Sequence, residues 1–206
     1  SFNEKNFHIC VKNGKPYTMS KRSGNFITVE DVVSEVGADV VKFMMLSRKN
    51  DIPFSFDLAK AVEQSKDNPI FYIHYAYTRC SSVLRNLSRN NHQLYQEITD
   101  DNIDFFCLEL LQHDLELELI RKLALYPRII IMAAEKYEPH RIAFYLQELV
   151  SIFHSLWNEG MRDQNLRFII DDKKTSRARI YLLQSLMKII ASALGIFNII
   201  PMEKME

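Results

Sequence analysis

The chain of 206 residues carries 26 Lys and Arg side chains against 26 Asp and Glu, so its formal net charge is zero. Hydrophobic residues make up 47% and charged residues 25%, a globular composition that excludes a disordered or fibrous chain. Five glycines and six prolines are too few for a loop-rich or all-β fold, in which turns require these residues.

The cysteines and histidines are spaced in a way that predicts neither disulfides nor a metal site. Three cysteines form no C-x-x-C pair, and six histidines form no H-x-x-x-H pair. This cysteine usage favours a reducing cytoplasm. The longest nearly apolar stretch, residues 189–202, is shorter than the about 20 residues that a membrane span needs, so no membrane association is expected.

The first 60 residues mix strand and helix signals. Weak alternation predicts a strand over residues 7–11, a turn over 12–16 and a second short strand over 53–57. Thr28, with Asp31 three residues later, predicts an N-cap and a helix through residue 35. We expect Gly37 to interrupt this helix and Asp39 to cap a second one that ends near residue 46.

From residue 58 onward the hydrophobic period is helical. Pro69 suits the first position of a helix whose apolar stripe continues to Leu87, and residues 90–93 are predicted to form a loop. Further amphipathic helices are predicted over residues 103–125, 129–136, 142–159 and 176–194, with breaks at Tyr126-Pro127 and Glu138-Pro139. Gly160 and Gly195 are expected to end the last two. The pattern predicts a mainly α protein, a helix bundle that follows a small α/β piece.

One segment has the chemistry of a phosphate-binding loop. Residues 18–26 place two adjacent cations, Lys21 and Arg22, between serines and a glycine. Hydroxyl groups, backbone N–H groups and cations of this kind bind phosphate oxygens and stabilise developing charge. A solvated basic turn is the alternative, and the chain contains neither a Walker A loop nor a G-x-G-x-x-G motif.

A second candidate site is an aromatic helix face. In a helix, Tyr72, Tyr75 and Arg79 fall on one side because they are three and four residues apart. Exposed aromatic and Arg side chains stack on unpaired RNA bases, although the same rings could instead complete the edge of a core. Trp157, the only tryptophan, is either a further stacking platform or a core residue.

Five motifs in matching order and spacing resemble arginyl-tRNA synthetase, a family of class I aminoacyl-tRNA synthetases. They are MSKRSGN at 19–25, SKDNP at 65–69, YAYTR at 75–79, PHRIAFYL at 139–146 and FHSLWN at 153–158. The resemblance implies that residues 1–62 hold the end of a Rossmann-type catalytic domain, with its signature loop, and a stem-contact module. Residues 63–206 would form the helical anticodon-binding domain that arginyl and cysteinyl enzymes share.

The resemblance also assigns roles to individual residues. Lys21 and Arg22 are the implied catalytic residues, which stabilise the triphosphate and the departing pyrophosphate as the aminoacyl adenylate forms. The implied ATP-binding residues are Met19, Ser20, Lys21 and Ser23, although Thr18 replaces the first lysine of the family's loop. The implied tRNA-binding residues are Tyr72, Tyr75, Arg79 and Trp157.

The implied function is that of an arginine–tRNA ligase in the cytoplasm. Such an enzyme uses ATP with Mg²⁺, arginine and the tRNA for arginine; we expect a monomer that holds no metal in this part of the chain. The family's histidine-glycine-histidine motif and arginine pocket are absent from these residues, so the chain alone is expected to be inactive.

Three alternatives stay open on the sequence. They are a stand-alone tRNA-binding module, the corresponding part of a cysteinyl-tRNA synthetase, and a helical scaffold with no RNA role. The loop at 19–23 favours the ligase over the binding module, which has no need of it. The motifs at 65–69 and 139–146 resemble the arginyl family better than the cysteinyl family.

Overall fold

The computed structural model describes residues 7–11, 15–17, 28–49, 54–57, 61, 68–99 and 105–205. Its strands are β1 (Phe7–Val11), β2 (Lys15–Tyr17) and β3 (Phe54–Asp57). β1 lies between the other two, antiparallel to β2 and parallel to β3. The predictions of β1 and β3 are confirmed, whereas residues 15–16, predicted as part of a turn, belong to β2.

Two short helices, α1 (Val29–Val36) and α2 (Ala38–Leu46), lie between β1 and β3 in the chain. A parallel strand pair needs such a crossover connection. Three strands and two helices do not by themselves make a Rossmann-type fold, so that assignment and the division at residue 62 stay predictions. α2 also contributes Phe43 to the core of the bundle, where its ring lies edge-on to Phe197 with centroids 6.1 Å apart.

The caps of α1 and α2 follow the sequence signals in part. The Thr28 side chain accepts the Asp31 N–H at 3.0 Å and the Asp31 carboxylate accepts the Thr28 N–H at 2.8 Å, a complete capping box. Gly37 separates the helices with a φ of 89°, a value that favours glycine. The prediction that Asp39 caps α2 is wrong, because α2 begins directly after Gly37 and Asp39 lies in its first turn, paired with Lys42 at 3.1 Å.

The rest of the described chain is mostly helical, so the predicted mainly α fold is confirmed. The α-helices are α3 (Pro69–Asn90), α4 (His92–Thr99), α5 (Asp114–Ala124), α6 (Tyr126–Lys136), α7 (His140–Arg162) and α8 (Lys173–Ile196). Two 3₁₀ helices lie at Phe105–Leu110 and Gln164–Leu166. Both predicted breaks, before Pro127 and at Glu138-Pro139, are confirmed as helix boundaries.

Two predicted boundaries are wrong for local reasons. Residues 90–93 are not a loop, because α3 reaches Asn90 and α4 begins at His92. Asn91 alone separates the helices, and its side chain accepts the Leu94 N–H at 3.1 Å. The helix predicted over 103–125 is divided at His113, whose ring nitrogen accepts the Leu115 N–H at 3.3 Å and caps α5.

Gly160 and Gly195 lie inside helices and do not end them. Gly160 is explained by a close approach of the chain, since a Cβ atom built there would lie 3.0 Å from the carbonyl oxygen of Leu166. The glycine therefore lets the segment of residues 163–168, which follows α7, pack directly against that helix.

α7 and α8 supply most of the core. Phe153 of α7 and Leu186 of α8 are completely buried, as are Ile73, Ala76 and Cys80 of α3, which confirms the predicted apolar stripe. α8 is long and apolar enough to cross a membrane by length and composition, which is weak evidence for a single helix. Half of its apolar window is buried within the bundle, as expected of a core helix.

A buried ion pair joins α5 to α8. Arg179 Nε lies 2.7 Å from Glu116 Oε1, and the two residues are 5% and 1% exposed. Arg179 Nη1 also donates to the carbonyl oxygens of Asn165 and Arg167, at 2.5 and 2.7 Å. One side chain therefore fixes α5, α8 and the segment of residues 163–168 relative to one another.

Candidate nucleic-acid interface

The beginning of α3 sets the rotation of the predicted RNA-binding face. The Asn68 side chain accepts the Phe71 N–H at 3.3 Å and donates to the Ala61 carbonyl at 2.8 Å, and Pro69 takes the first helical position. The buried stripe of α3 packs on the bundle. The face that carries Tyr72, Tyr75 and Arg79 is therefore turned to the edge of the core, where Tyr75 is 37% exposed.

All four residues predicted to bind tRNA meet at one place. We call the group formed by Tyr72, Tyr75, Arg79, His154 and Trp157 the Arg79 cluster. Arg79 Cζ lies 4.1 Å from the centre of the Tyr75 ring and 4.8 Å from the centre of the Trp157 ring. Arg79 Nη2 also donates to the Tyr75 hydroxyl at 2.9 Å. The guanidinium is thus in contact with two aromatic rings from different helices, an arrangement that stabilises a cation.

His154 joins the cluster from α7 and was missed at the sequence level. It is 2% exposed, and its ring centre lies 4.0 Å from that of Tyr72 and 5.6 Å from that of Tyr75. Its Nδ1 atom is 2.9 Å from Arg79 Nη1, and its Nε2 atom is 3.2 Å from the Tyr72 carbonyl oxygen. The only signal for it was its place in the FHSLWN motif, three residues before Trp157 and on the same helix face.

The protonation state of His154 follows from its partners. A guanidinium only donates hydrogen bonds, so Nδ1 must accept from Arg79 and Nε2–H must donate to the Tyr72 carbonyl. This is the neutral imidazole. Burial lowers the pKa of His154 to about 4, and the nearby charge of Arg79 acts in the same direction.

Trp157 combines the two roles that the sequence left open. Its ring packs on Phe153 and Phe168, with centroid distances of 6.0 and 5.9 Å. The same ring also contacts Arg79, and the residue is only half-buried. It is therefore a platform fixed to the core that remains accessible at the surface.

The guanidinium of Arg79 gives the Arg79 cluster a positive charge. Among the residues that the structure describes, no carboxylate forms an ion pair with Arg79. Burial raises the pKa of the Tyr72 hydroxyl, so that this side chain stays a neutral phenol. A half-buried cation among aromatic rings is suited to an electron-rich ring or an anion as its ligand.

Residues 202–203 are hydrogen-bonded to α3. The Met202 N–H donates to His74 Nδ1 at 3.2 Å, and the Thr78 hydroxyl donates to the Met202 carbonyl at 2.8 Å. Arg85 donates to the Glu203 carbonyl at 2.9 Å. Burial lowers the pKa of His74, in keeping with a neutral ring that accepts a hydrogen bond. These bonds hold residues 202–203 by main-chain atoms.

The other predicted site lies outside the described residues. This holds for the implied catalytic and ATP-binding residues Met19, Ser20, Lys21, Arg22 and Ser23, whose roles stay predictions. Over the described part of the chain, no group of three or more His, Cys, Asp or Glu side chains is placed to bind a metal ion.

Residues 73–205 match the family model of the DALR anticodon binding domain. The chain belongs to this family. The match covers α3 from Ile73 onward and includes Tyr75, Arg79, His154 and Trp157. Tyr72 lies one residue before it.

Two relatives of this DALR domain protein are named arginine–tRNA ligase. The chain is 49% identical to the arginine–tRNA ligase of Ruegeria pomeroyi over 196 residues, and 48% identical to that of Wolbachia sp. subsp. Brugia malayi over the same length. In both cases the match covers 95% of the chain and 33% of the relative, so the chain spans about a third of the length of these curated relatives. The resemblance to arginyl-tRNA synthetases is confirmed.

Solved structures of the same name share the fold. A Campylobacter jejuni structure assigned as an arginyl-tRNA synthetase has a TM-score of 0.72 at 24% identity, covering 97% of the DALR domain protein and 39% of that chain. The arginyl-tRNA synthetase of Thermus thermophilus has a TM-score of 0.58 at 19% identity, covering 90% and 29%.

Proposed function

We propose that this chain is the tRNA-recognising part of an arginine–tRNA ligase, which joins arginine to its tRNA through an ATP-dependent arginyl adenylate. The observation that carries the proposal is the Arg79 cluster, a half-buried cation among accessible aromatic rings, which lies almost entirely within the residues that match an anticodon binding domain. The names of the relatives that match 95% of the chain supply the amino acid.

The chemistry of the cluster fits unpaired bases of an anticodon loop. A base that leaves its own stack can lie against Tyr75 or Trp157, and Arg79 adds attraction for the π-face or for a nearby phosphate. Base–aromatic stacking contributes about 1–3 kcal/mol per base. The cluster is held before the ligand arrives, so that little side-chain entropy is lost on binding.

Besides tRNA recognition, the proposal includes ATP binding by the loop at residues 19–23. Lys21 and Arg22 would neutralise the triphosphate while Met19, Ser20 and Ser23 contact it, and Mg²⁺ would accompany the nucleotide. These donors fit phosphate oxygens by their charge and hydroxyl groups. In a full-length ligase, Lys21→Ala is expected to slow ATP–pyrophosphate exchange by about 10²–10³, and an unchanged rate would remove Lys21 from the site. The proposed enzyme is a cytoplasmic monomer.

Binding of the 206-residue chain to an arginine tRNA transcript tests the proposal. Fluorescence of the single tryptophan reports directly on the cluster, because Trp157 contacts Arg79. We expect tighter binding to the native anticodon than to a transcript with changed anticodon bases, and weaker binding as salt rises.

Two variants separate the cluster from general charge effects. Arg79→Ala should weaken binding about 10-fold or more. Arg177→Ala, which removes an equal charge from α8 where Arg177 pairs with Glu97 of α4, should change the affinity little. Equal affinity for both transcripts, or equal effects of the two Arg substitutions, would contradict recognition by this face.

A further inference from the structure

We infer that His154 is a positioning residue for RNA recognition, which holds the Arg79 guanidinium in its place against Tyr75 and Trp157. The inference rests on the proposed function, because it names the residue that makes the Arg79 cluster ready to bind. It concerns a side chain that is buried and does not itself reach the ligand.

Arg79 needs such a partner because its side chain is long and flexible. Fixing a side chain of this kind costs conformational entropy, more than for a short or stiff side chain. Two hydrogen bonds fix the plane of the guanidinium, from Nη2 to the Tyr75 hydroxyl and from Nη1 to His154 Nδ1, both 2.9 Å long. Tyr75 is exposed and belongs to the same helix, so His154 provides the link to a buried and immobile element.

The imidazole ring of His154 is itself held by a hydrogen bond and by contacts with three aromatic rings. Its Nε2–H donates to the Tyr72 carbonyl, its ring is tilted against the Tyr72 ring and stacked on the Tyr75 ring, and Phe153 precedes it in the core. The ring has to be neutral for this task, because imidazolium has no lone pair to accept from Arg79 and would repel it. The aromatic surroundings favour that neutral form.

The alternative is that His154 only fills space beside the two tyrosine rings that it contacts. In that case any flat ring of similar size would serve, and the hydrogen bond to Arg79 would be incidental. The two roles predict opposite rankings for two substitutions. His154→Phe retains a stacked ring and loses both nitrogen atoms. His154→Asn loses the ring but retains an acceptor, since Asn Oδ1 is attached to Cγ as His Nδ1 is.

The experiment measures RNA affinity and stability of the 206-residue chain for wild type and both variants. Affinity for an arginine tRNA transcript is followed by Trp157 fluorescence, and stability by urea unfolding. A positioning role predicts that His154→Phe weakens binding about 10-fold, as expected for a lost hydrogen bond to a charged group, and that His154→Asn weakens it less. The two variants should rank the other way in stability, with His154→Phe more stable to urea than His154→Asn because it retains the stacked ring.

Two further measurements make the outcome decisive. In an Arg79→Ala background, His154→Phe should cause no additional loss of affinity, because the group that it positions is gone. Without any RNA, NMR signals of the Arg79 guanidinium should show hindered rotation in the wild type and in the Asn variant, and free rotation in the Phe variant.

The results distinguish failure of the inference from failure of the proposed function. Should wild type bind the transcript and Arg79→Ala weaken binding while His154→Phe leaves affinity and guanidinium rotation unchanged, His154 is a packing residue only. A wild-type chain that does not bind the transcript overturns the proposed function and the RNA role of His154 with it, even where the NMR result stands.

Discussion

The buried ion pair between Arg179 and Glu116 gives a sharp test of how the bundle is held. Arg179→Met replaces the guanidinium with an apolar group of similar length and leaves the Glu116 carboxylate, 1% exposed, without its counter-charge. It also removes the donor to the carbonyl oxygens of Asn165 and Arg167. The His113 N–H, at 3.1 Å from Glu116, remains as a partner of the carboxylate.

The loss of stability in Arg179→Met is set by the buried Glu116 carboxylate, which keeps its charge without a counter-charge. Removing one partner of a buried ion pair costs about 3–5 kcal/mol, because an uncompensated charge stays in the interior. A urea m-value of about 2 kcal/mol/M converts 4 kcal/mol into a midpoint shift of about 2 M. This is a large part of the about 5–15 kcal/mol that stabilises an ordinary domain.

Urea unfolding followed by Trp157 fluorescence is the assay, since the segment fixed by Arg179 carries Phe168, which packs on Trp157. Arg177→Met is the matched control two residues earlier on α8. Arg177 pairs with Glu97 at 2.6 Å, but the two side chains are 24% and 42% exposed, so its loss should cost about 1 kcal/mol or less.

A second substitution at Glu116 tests the same ion pair from its other side. Adding Glu116→Leu to Arg179→Met should restore much of the lost stability, because the stranded carboxylate is removed. Equal midpoints for Arg179→Met and Arg177→Met would refute the assignment of a stabilising role to the buried network.

Two further predictions concern His154 in the Arg79 cluster and Gly160 on the same helix. Because the pKa of His154 is lowered from its ordinary 6.5 to about 4 in the folded chain, the unfolded chain takes up the proton first as pH falls. Stability should therefore fall between pH 6.5 and 4, by up to about 3 kcal/mol in urea unfolding, and His154→Phe should flatten this dependence. Gly160→Val should lower the free energy of unfolding by about 1–3 kcal/mol and shift the Trp157 emission, because a Cβ atom at position 160 lies 3.0 Å from the Leu166 carbonyl oxygen. An unshifted emission spectrum together with wild-type stability would contradict this close approach.

The parts of the fold that sequence predicted well are those that depend on neighbours in the chain. The capping box at Thr28, the interruption at Gly37 and the start of α3 at Pro69 all rest on contacts within four residues. β2 was missed because its pairing with β1 depends on another strand. The N-cap at His113 was missed because histidine is an uncommon capping residue.

In the candidate site, too, sequence predicted the local features but not those that depend on helix packing. Helical spacing was enough to place Tyr72, Tyr75 and Arg79 on one face of α3. Their meeting with His154 and Trp157 depends on how α3 and α7 pack, across 75 residues of chain between Arg79 and His154. Gly160 shows the limit of local rules, since a glycine near a helix end fits both a C-terminal cap and a close packing contact, and only the position of Leu166 decides.

The hydrogen bonds from α3 to residues 202–203 determine which substitutions this segment tolerates. His74, Thr78 and Arg85 bind main-chain atoms, which every residue offers, while the side chains of Ile200 and Met202 are 83% and 47% exposed. Substitutions at these two positions can therefore accumulate without altering the path of the chain. Proline at position 202 is the exception, because it has no N–H to donate to His74.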